Sequence, residues 1–256
     1  MVIALLTDFG TKDYFVGAMK GAILSINEKA DIIDITHEIT PQNINAASFT
    51  LRACYNNFPE KTIFVAVVDP GVGSDRRAIL VETENYYFIA PDNGLLSFVF
   101  EVEKNFQAYE LTNVKYFAEK ISRTFHGRDI FAPVAAHLSR GVAPNEFGAK
   151  IKDFLRFAST EPKKISEKEI EARIIHIDRF GNLITNIKAE DLIEKFTLEI
   201  NGKTIYKFRN FYAEADKGEL FMIAGSAGFL EIVAFQCSAK EMLRVEVGEA
   251  VTLRAE

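Results

Sequence analysis

The chain's 256 residues are 48% hydrophobic and 26% charged, which supplies a core and excludes a chain dominated by disorder. Thirty basic side chains against 36 acidic ones leave a net charge of −6, which argues against a nucleic-acid partner but leaves room for a local cationic pocket. The two cysteines, Cys54 and Cys237, show no CxxC or Cys/His zinc spacing, so both are expected to be free core thiols of a reducing compartment. The apolar opening from Met1 to Leu6 is too short for a signal peptide and lacks a basic flank. No run approaches the ~18 apolar residues of a membrane span. The expectation is a cytoplasmic protein with no membrane partner.

The first half alternates strand and helix signals. Residues 2–6 form a continuous apolar run, as in a strand buried on both faces. Residues 14–26 place Phe15, Met19, Ala22, Ile23 and Ile26 on one helical face. A short strand is predicted at 31–35, a helix at 46–55 and a second buried strand at 62–68, broken by Pro70-Gly71. Two more strands follow at 78–82 and 86–90, then helices at 94–102 and 129–139. This alternation predicts a mostly parallel sheet with helices on both faces.

The second half changes character after Glu161-Pro162-Lys163-Lys164, a polar linker candidate. Short strands are predicted at 171–177, 183–187, 197–200 and 204–208, with Asn201-Gly202 a type I′ hairpin signal. Others are predicted at 220–224, 231–235, 243–247 and 250–254. Such spacing predicts a small all-β barrel or sandwich. The expected organisation is therefore an N-terminal α/β domain over 1–164 and a C-terminal β domain over 165–256.

Ligands of an open α/β sheet bind beyond the carboxyl ends of its strands. Asp8, Asp69 and Asp92 each follow a predicted strand there. A carboxylate so placed needs partners, and each could also simply cap the next element. The segment Asp69-Pro70-Gly71-Val72-Gly73-Ser74-Asp75-Arg76-Arg77 is the most informative, because a rigid turn delivers an acid and two arginines follow that can hold it ionised. It lacks the third glycine of GxGxxG, and no phosphate-binding GxxxxGK[ST] occurs. His126 stands before a helix, beside Gly127 and Arg128, and is the best-placed of four histidines; none has metal-ligand spacing, so no metal is expected. In Asp178-Arg179-Phe180-Gly181-Asn182, Phe180 can stack on a planar heterocycle and Asn182 can read its edge. Gly225-Ser226-Ala227-Gly228-Phe229-Leu230-Glu231 offers backbone amides and a carboxylate suited to the two ends of a zwitterion.

Six segments in this order resemble the S-adenosylmethionine (SAM) hydrolase family, the adenosine-forming SAM hydroxide adenosyltransferases related to fluorinase and chlorinase. They are Leu6-Thr7-Asp8-Phe9-Gly10, Val68-Asp69-Pro70-Gly71-Val72-Gly73, Pro91-Asp92-Asn93-Gly94, Phe125-His126-Gly127-Arg128-Asp129, Phe180-Gly181-Asn182 and Ser226-Ala227-Gly228-Phe229-Leu230-Glu231. The resemblance implies an N-terminal α/β domain and a C-terminal β domain, in a homo-oligomer, usually a trimer with active sites between subunits. It implies hydrolysis of SAM to adenosine and methionine, with SAM as substrate and no cofactor. It places a catalytic set on Asp69, Arg76 and His126, with Asp69 also contacting substrate, and a ribose-diol carboxylate on Asp8. Adenine contacts fall on Phe180 and Asn182, the methionine end on Ser226 and Glu231, and, on looser alignment, further contacts on Phe211 and Val233.

The related halogenases are similar but should carry a non-acidic residue in place of Asp69, a hydroxyl in place of Val72, serine in place of Gly127, and an insertion after the arginine loop. Water is therefore the expected nucleophile, with Asp69 and His126 both candidates for its base. The alternatives are a halide-dependent, chlorinase-like SAM enzyme and a non-enzymatic adenosine or SAM sensor.

Overall fold

The computed structural model describes residues 1–158, 161–192 and 195–255, which form two compact units, Met1–Phe157 and Ala158–Glu256. The first is built from β1 (Val2–Thr7), α1 (Phe15–Ile26), β2 (Asp31–Thr36), α2 (Ile44–Cys54), β3 (Ile63–Val67), β4 (Ala78–Thr83), β5 (Tyr87–Pro91), α3 (Ser97–Val102), β6 (Phe106–Glu110), α4 (Ala132–Ser139) and β7 (Lys150–Ile151). Its sheet runs β2-β1-β3-β5-β4-β6-β7. The sheet is mixed: β2, β1, β3 and β5 pair in parallel, whereas β5, β4, β6 and β7 pair antiparallel. The link from β4 to β5 is the short Glu84-Asn85-Tyr86, which permits a hairpin but no crossover.

Strand periodicity divides the apolar runs between two cores. Ile3, Leu5, Ile63 and Val65 pack with Met19 and Ile23 of α1 and Val134 and Leu138 of α4. Ala4, Leu6, Phe64 and Ala66 pack on the opposite face with Leu51 of α2 and Phe98 of α3. Helices thus cover both faces, which is why these strands read as unbroken apolar stretches.

Two helix starts differ from the sequence expectation. Gly94–Leu96 stand outside α3: Gly94 has φ +94°, and a Cβ there would lie 2.6 Å from the Phe157 ring. The helix expected from residue 129 opens instead with a π-helical turn, Gly127–Phe131, continued by α4. Pro133 has no N–H for the Asp129 carbonyl, which accepts from Ala118 N at 2.8 Å, while Ala132 N bonds back to Gly127 O.

The second unit contains β8 (Lys163–Ser166), β9 (Glu169–Ile177), β10 (Leu183–Lys188), β11 (Phe196–Ile200), β12 (Lys203–Ile205), β13 (Leu220–Ala224), β14 (Phe229–Ala234), α5 (Ala239–Leu243) and β15 (Ala250–Ala255). All pairings are antiparallel in the order β12-β11-β15-β9-β10-β14-β13, with β8 also on β9. The terminal strands β12 and β13 approach each other, giving a nearly closed barrel-like sheet around Ile174, Leu183, Leu198, Leu230, Ile232 and Leu253. Asn201 and Gly202 have φ of 45° and 70°, as the β11–β12 hairpin requires.

Three local expectations are corrected here. Lys163 and Lys164, read as linker, form β8. Residues 243–247, read as a strand, instead comprise the last residue of the helix α5 and the turn after it; Ser238 Oγ caps Glu241 N and Arg244 ends the helix at φ 53°. The Ser-x-x-Glu spacing is a helix start that the alternation of buried Leu243 and Val245 obscured. The cysteines are not both core thiols: Cys54 is half-buried and Cys237 is exposed. Among the described residues no helix is long and apolar enough to cross a membrane.

Asp92 closes β5 as a structural anchor. It accepts from Arg77 Nε at 3.0 Å, Arg77 Nη2 at 2.8 Å and Leu155 N at 2.8 Å, and Arg77 Nη1 reaches Asp153 at 2.9 Å. Asp92→Ala would leave the Leu155 amide and part of the Arg77 guanidinium without a partner. A loss of about 2–3 kcal/mol in denaturant unfolding is expected.

Candidate active site

Parallel strands β1 and β3 end side by side, and the chain turns out of them at Asp8 and Asp69. Asn93 Nδ2 donates to Val68 O at 2.8 Å and fixes the point where the second turn begins. The loop then closes on itself, with Val72 N to Asp69 O at 3.2 Å and Ser74 N to Gly71 O at 3.1 Å. Gly73 adopts φ +79°, and a Cβ there would stand 2.1 Å from Arg123 O. This loop returns Arg76 to Asp69: Nε lies 2.9 and 3.0 Å from the two carboxylate oxygens, and Nη2 also donates to Oδ2. Arg76 and Arg77, adjacent in an extended segment, diverge to Asp69 and Asp92 respectively.

The same Arg76 Nη2 lies 2.7 Å from His126 Nδ1, and the guanidinium rests over Phe131 at 5.4 Å. His126 is the residue before the π-helical turn, which aims its ring back at the β3–β4 loop. The Asp69 and Arg76 side chains are only 5% and 10% exposed. Burial, and then the charge of Arg76, hold the His126 imidazole below the usual histidine range, which favours its neutral form. Gly127 is closely packed: a Cβ would meet Met19 Sδ at 3.2 Å and the rings of Phe125 and Phe9 at 3.3 and 3.4 Å.

Asp8 Oδ2 accepts from Gln42 N at 2.7 Å, leaving the rest of the carboxylate open to a ligand. Its exit from β1 is held by buried His37, whose Nδ1 is 2.9 Å from Thr7 Oγ1 and whose carbonyl accepts from Gly10 N at 2.7 Å. His37 Nε2 stands 3.0 Å from Asp34 Oδ1, off the line of an ideal hydrogen bond. Sequence reasoning ranked His37 below His126 and did not consider Gln42, which acts here through its backbone N–H. Asp8, Asp69, Val72 and His126 line one cavity of about 430 Å³, walled by Phe9 and Phe125.

The second unit has its own cavity of about 570 Å³, lined by Phe180, Asn182, Tyr212 and Ser238 among others. Phe180 is 77% exposed, an aromatic face held out at a turn. That turn is organised by Asp178, which sequence reasoning did not single out. Its Oδ1 accepts from Phe180 N and Asn182 N, both at 2.9 Å, and its Oδ2 from Asn182 Nδ2 at 2.8 Å. An aspartate preceding Gly-Asn by three residues is the Asx-turn signal that could have found it. Tyr212, rather than the exposed neighbour Phe211, lines this cavity. Val233, expected as a further contact, is fully buried, backbone included, in a small core with Phe221, and is not presented to a ligand. Ser226 is exposed in the β13–β14 turn. Glu231 is buried against Gly225, where a Cβ would lie 1.9 Å from its Oε1, and burial together with Asp178 pushes its carboxyl up to about 7.

Residues 3–148 match the model of the SAM hydroxide adenosyltransferase N-terminal domain, and residues 172–252 match that of the C-terminal domain. The chain belongs to the SAM hydroxide adenosyltransferase family. It is 39% identical to the (R)-S-adenosyl-L-methionine hydrolase of Methanocaldococcus jannaschii over 96% of this chain and 92% of that one. A fluorinase of an Actinoplanes species is 32% identical, over 75% of this chain and 73% of its own. Among solved structures, a conserved protein of Thermotoga maritima superposes with a TM-score of 0.92 at 36% identity, covering 98% of this chain and 99% of that one.

The adenosyltransferase loop from Asp69 to Arg76 depends on its glycine. Gly73→Ala puts a side chain into a left-handed conformation and against Arg123 O, so it should cost at least about 1–3 kcal/mol. Thermal unfolding of this variant beside Gly141→Ala, where a Cβ is strained but meets nothing within 4 Å, separates the steric part.

Proposed function

We propose that this chain hydrolyses SAM at C5′, releasing adenosine and L-methionine. The observation that carries this reading is that one guanidinium, Arg76, holds both Asp69 and His126 in a cavity that also contains Asp8. The similarity to proteins named (R)-S-adenosyl-L-methionine hydrolase supports it. The leaving group is a neutral thioether and needs no acid. The difficulty is the nucleophile, so the site must hold a water in line with the C5′–S bond and accept its proton. Asp69, Arg76 and His126 take that task. Asp8, with Gln42 N on one oxygen, accepts from the ribose diol.

In the second unit, Phe180 stacks on adenine and Asn182 meets its edge. Glu231 receives the methionine ammonium, which would return its carboxyl to the ionised form, and Ser226 takes the carboxylate end. Phe211 belongs to the same reading as an outer contact. A homotrimer of cytoplasmic setting, with sites completed between subunits, goes with it, and light scattering that found an active monomer would count against that assembly. No cofactor is required by this chemistry.

A halide-dependent reaction is disfavoured by particular contacts. Asp69 would repel a halide, Val72 offers no hydroxyl, and the packing around Gly127 leaves little room for one. Arg77 leads directly into β4, with no inserted segment.

Incubation with SAM should give adenosine and methionine by chromatography, and no halogenated nucleoside when chloride or fluoride is added. Binding without turnover would instead establish a sensor. Asp69→Asn should keep most of the SAM affinity while lowering kcat by roughly 10²–10⁴. Asp8→Asn should weaken both SAM and adenosine binding. Equal effects of the two changes on binding alone would contradict the division of roles.

A further inference from the structure

The proton inventory around Arg76 determines what His126 can do, given the hydrolytic reading above. A guanidinium has five N–H donors and no acceptor. Arg76 Nη2 lies 2.7 Å from His126 Nδ1, a separation that suits a nitrogen acceptor and would crowd a ring carbon. Nδ1 must therefore be bare, and in a neutral imidazole the single proton then resides on Nε2. Protonating Nδ1 would set two N–H donors and two cations against each other.

We propose that His126 acts as a neutral hydrogen-bond donor through Nε2–H, locked in that tautomer by Arg76, and that Asp69 alone receives the proton of the attacking water. Nε2 makes no hydrogen bond to the described residues, and His126 lines the cavity that holds Asp69 and Asp8. Asp69 Oδ2 accepts from both Arg76 Nε and Nη2, whereas Oδ1 accepts from Nε alone and keeps a lone pair for a further donor. The water can then be held at three points: one lone pair accepts from His126 Nε2–H, one O–H points to Asp69, and the second lone pair faces C5′. In the step, the water oxygen bonds to C5′ and the C5′–S pair leaves with sulfur as the neutral thioether of methionine. One water proton passes to the Asp69 carboxylate and from there to solvent, so the cationic sulfonium charge leaves as that proton.

The charged groups around the imidazole agree with a resting neutral form. Arg76 faces it from the β3–β4 loop and opposes protonation; Asp69 and Asp129 favour it but are outweighed by Arg76 and burial. Asp129 is itself occupied by Arg128 Nε at 2.6 Å and Ser122 N at 2.7 Å.

Glutamine can present an amide N–H near the place of Nε2–H but cannot act as a base, so it separates the roles. His126→Gln should stay within about tenfold of wild-type kcat, whereas His126→Ala should lose roughly 10²-fold, the cost of removing one positioned donor. The wild-type kcat should fall as acid protonates the imidazole, and this limb should vanish in His126→Gln. If both variants lose activity equally while still binding adenosine, the histidine is the base and the proposal is overturned. A readout independent of substrate is ¹⁵N NMR of the wild-type protein labelled at histidine. The proposal expects His126 Nδ1 unprotonated and Nε2 protonated at pH 7; a protonated Nδ1 overturns it whatever the protein is found to hydrolyse.

Discussion

The site in the first unit depends on one guanidinium. Arg76 ties Asp69 to His126, two residues brought by different elements, and is itself brought to them by a loop that turns only because Gly73 adopts a left-handed conformation. The pair is nearly buried, and that burial makes the arrangement costly to break. It also keeps bulk water from competing for the carboxylate. Supports converge on the same loop from outside: Asn93 holds its origin at Val68, and Phe131 of the π-helical turn lies under the guanidinium. The irregular start of α4, forced by Pro133, is part of how His126 comes to face Arg76.

The second unit uses a different device. Asp178 closes the turn that exposes Phe180 and buries Asn182, so an aromatic plane and an amide are presented together from a rigid frame. Glu231, by contrast, is kept in a desolvated position with an acid as its charged neighbour. A carboxyl so placed gains most from an incoming ammonium, which suits the amino-acid end of a zwitterionic ligand.

Much of this was legible in the sequence. Buried parallel strands announce themselves as apolar runs, and the acids that follow them, Asp8 and Asp69, are found at the strand ends by that fact alone. The mixed character of the sheet was less legible, because pairing direction is set by connection length and by β6 and β7, whose short, partly polar strands carry little signal. Helix α5 was misread because its last residue, Leu243, alternates with Val245 beyond it as in a strand, while its cap is a single serine hydroxyl. The roles of Asp178 and Asn93 were hidden for a common reason: both act through hydrogen bonds to backbone or to another side chain, which no periodicity records.

On the proposed function, Asp69, Arg76 and His126 hold a water for attack on C5′. The most direct measurement is mass spectrometry of the nucleoside formed from SAM in ¹⁸O-labelled water. Attack of water at C5′ puts the label on the 5′-oxygen of adenosine, because the bond broken is C5′–S. Adenosine without label, or a product cleaved at the methyl or methionine carbons, would contradict it.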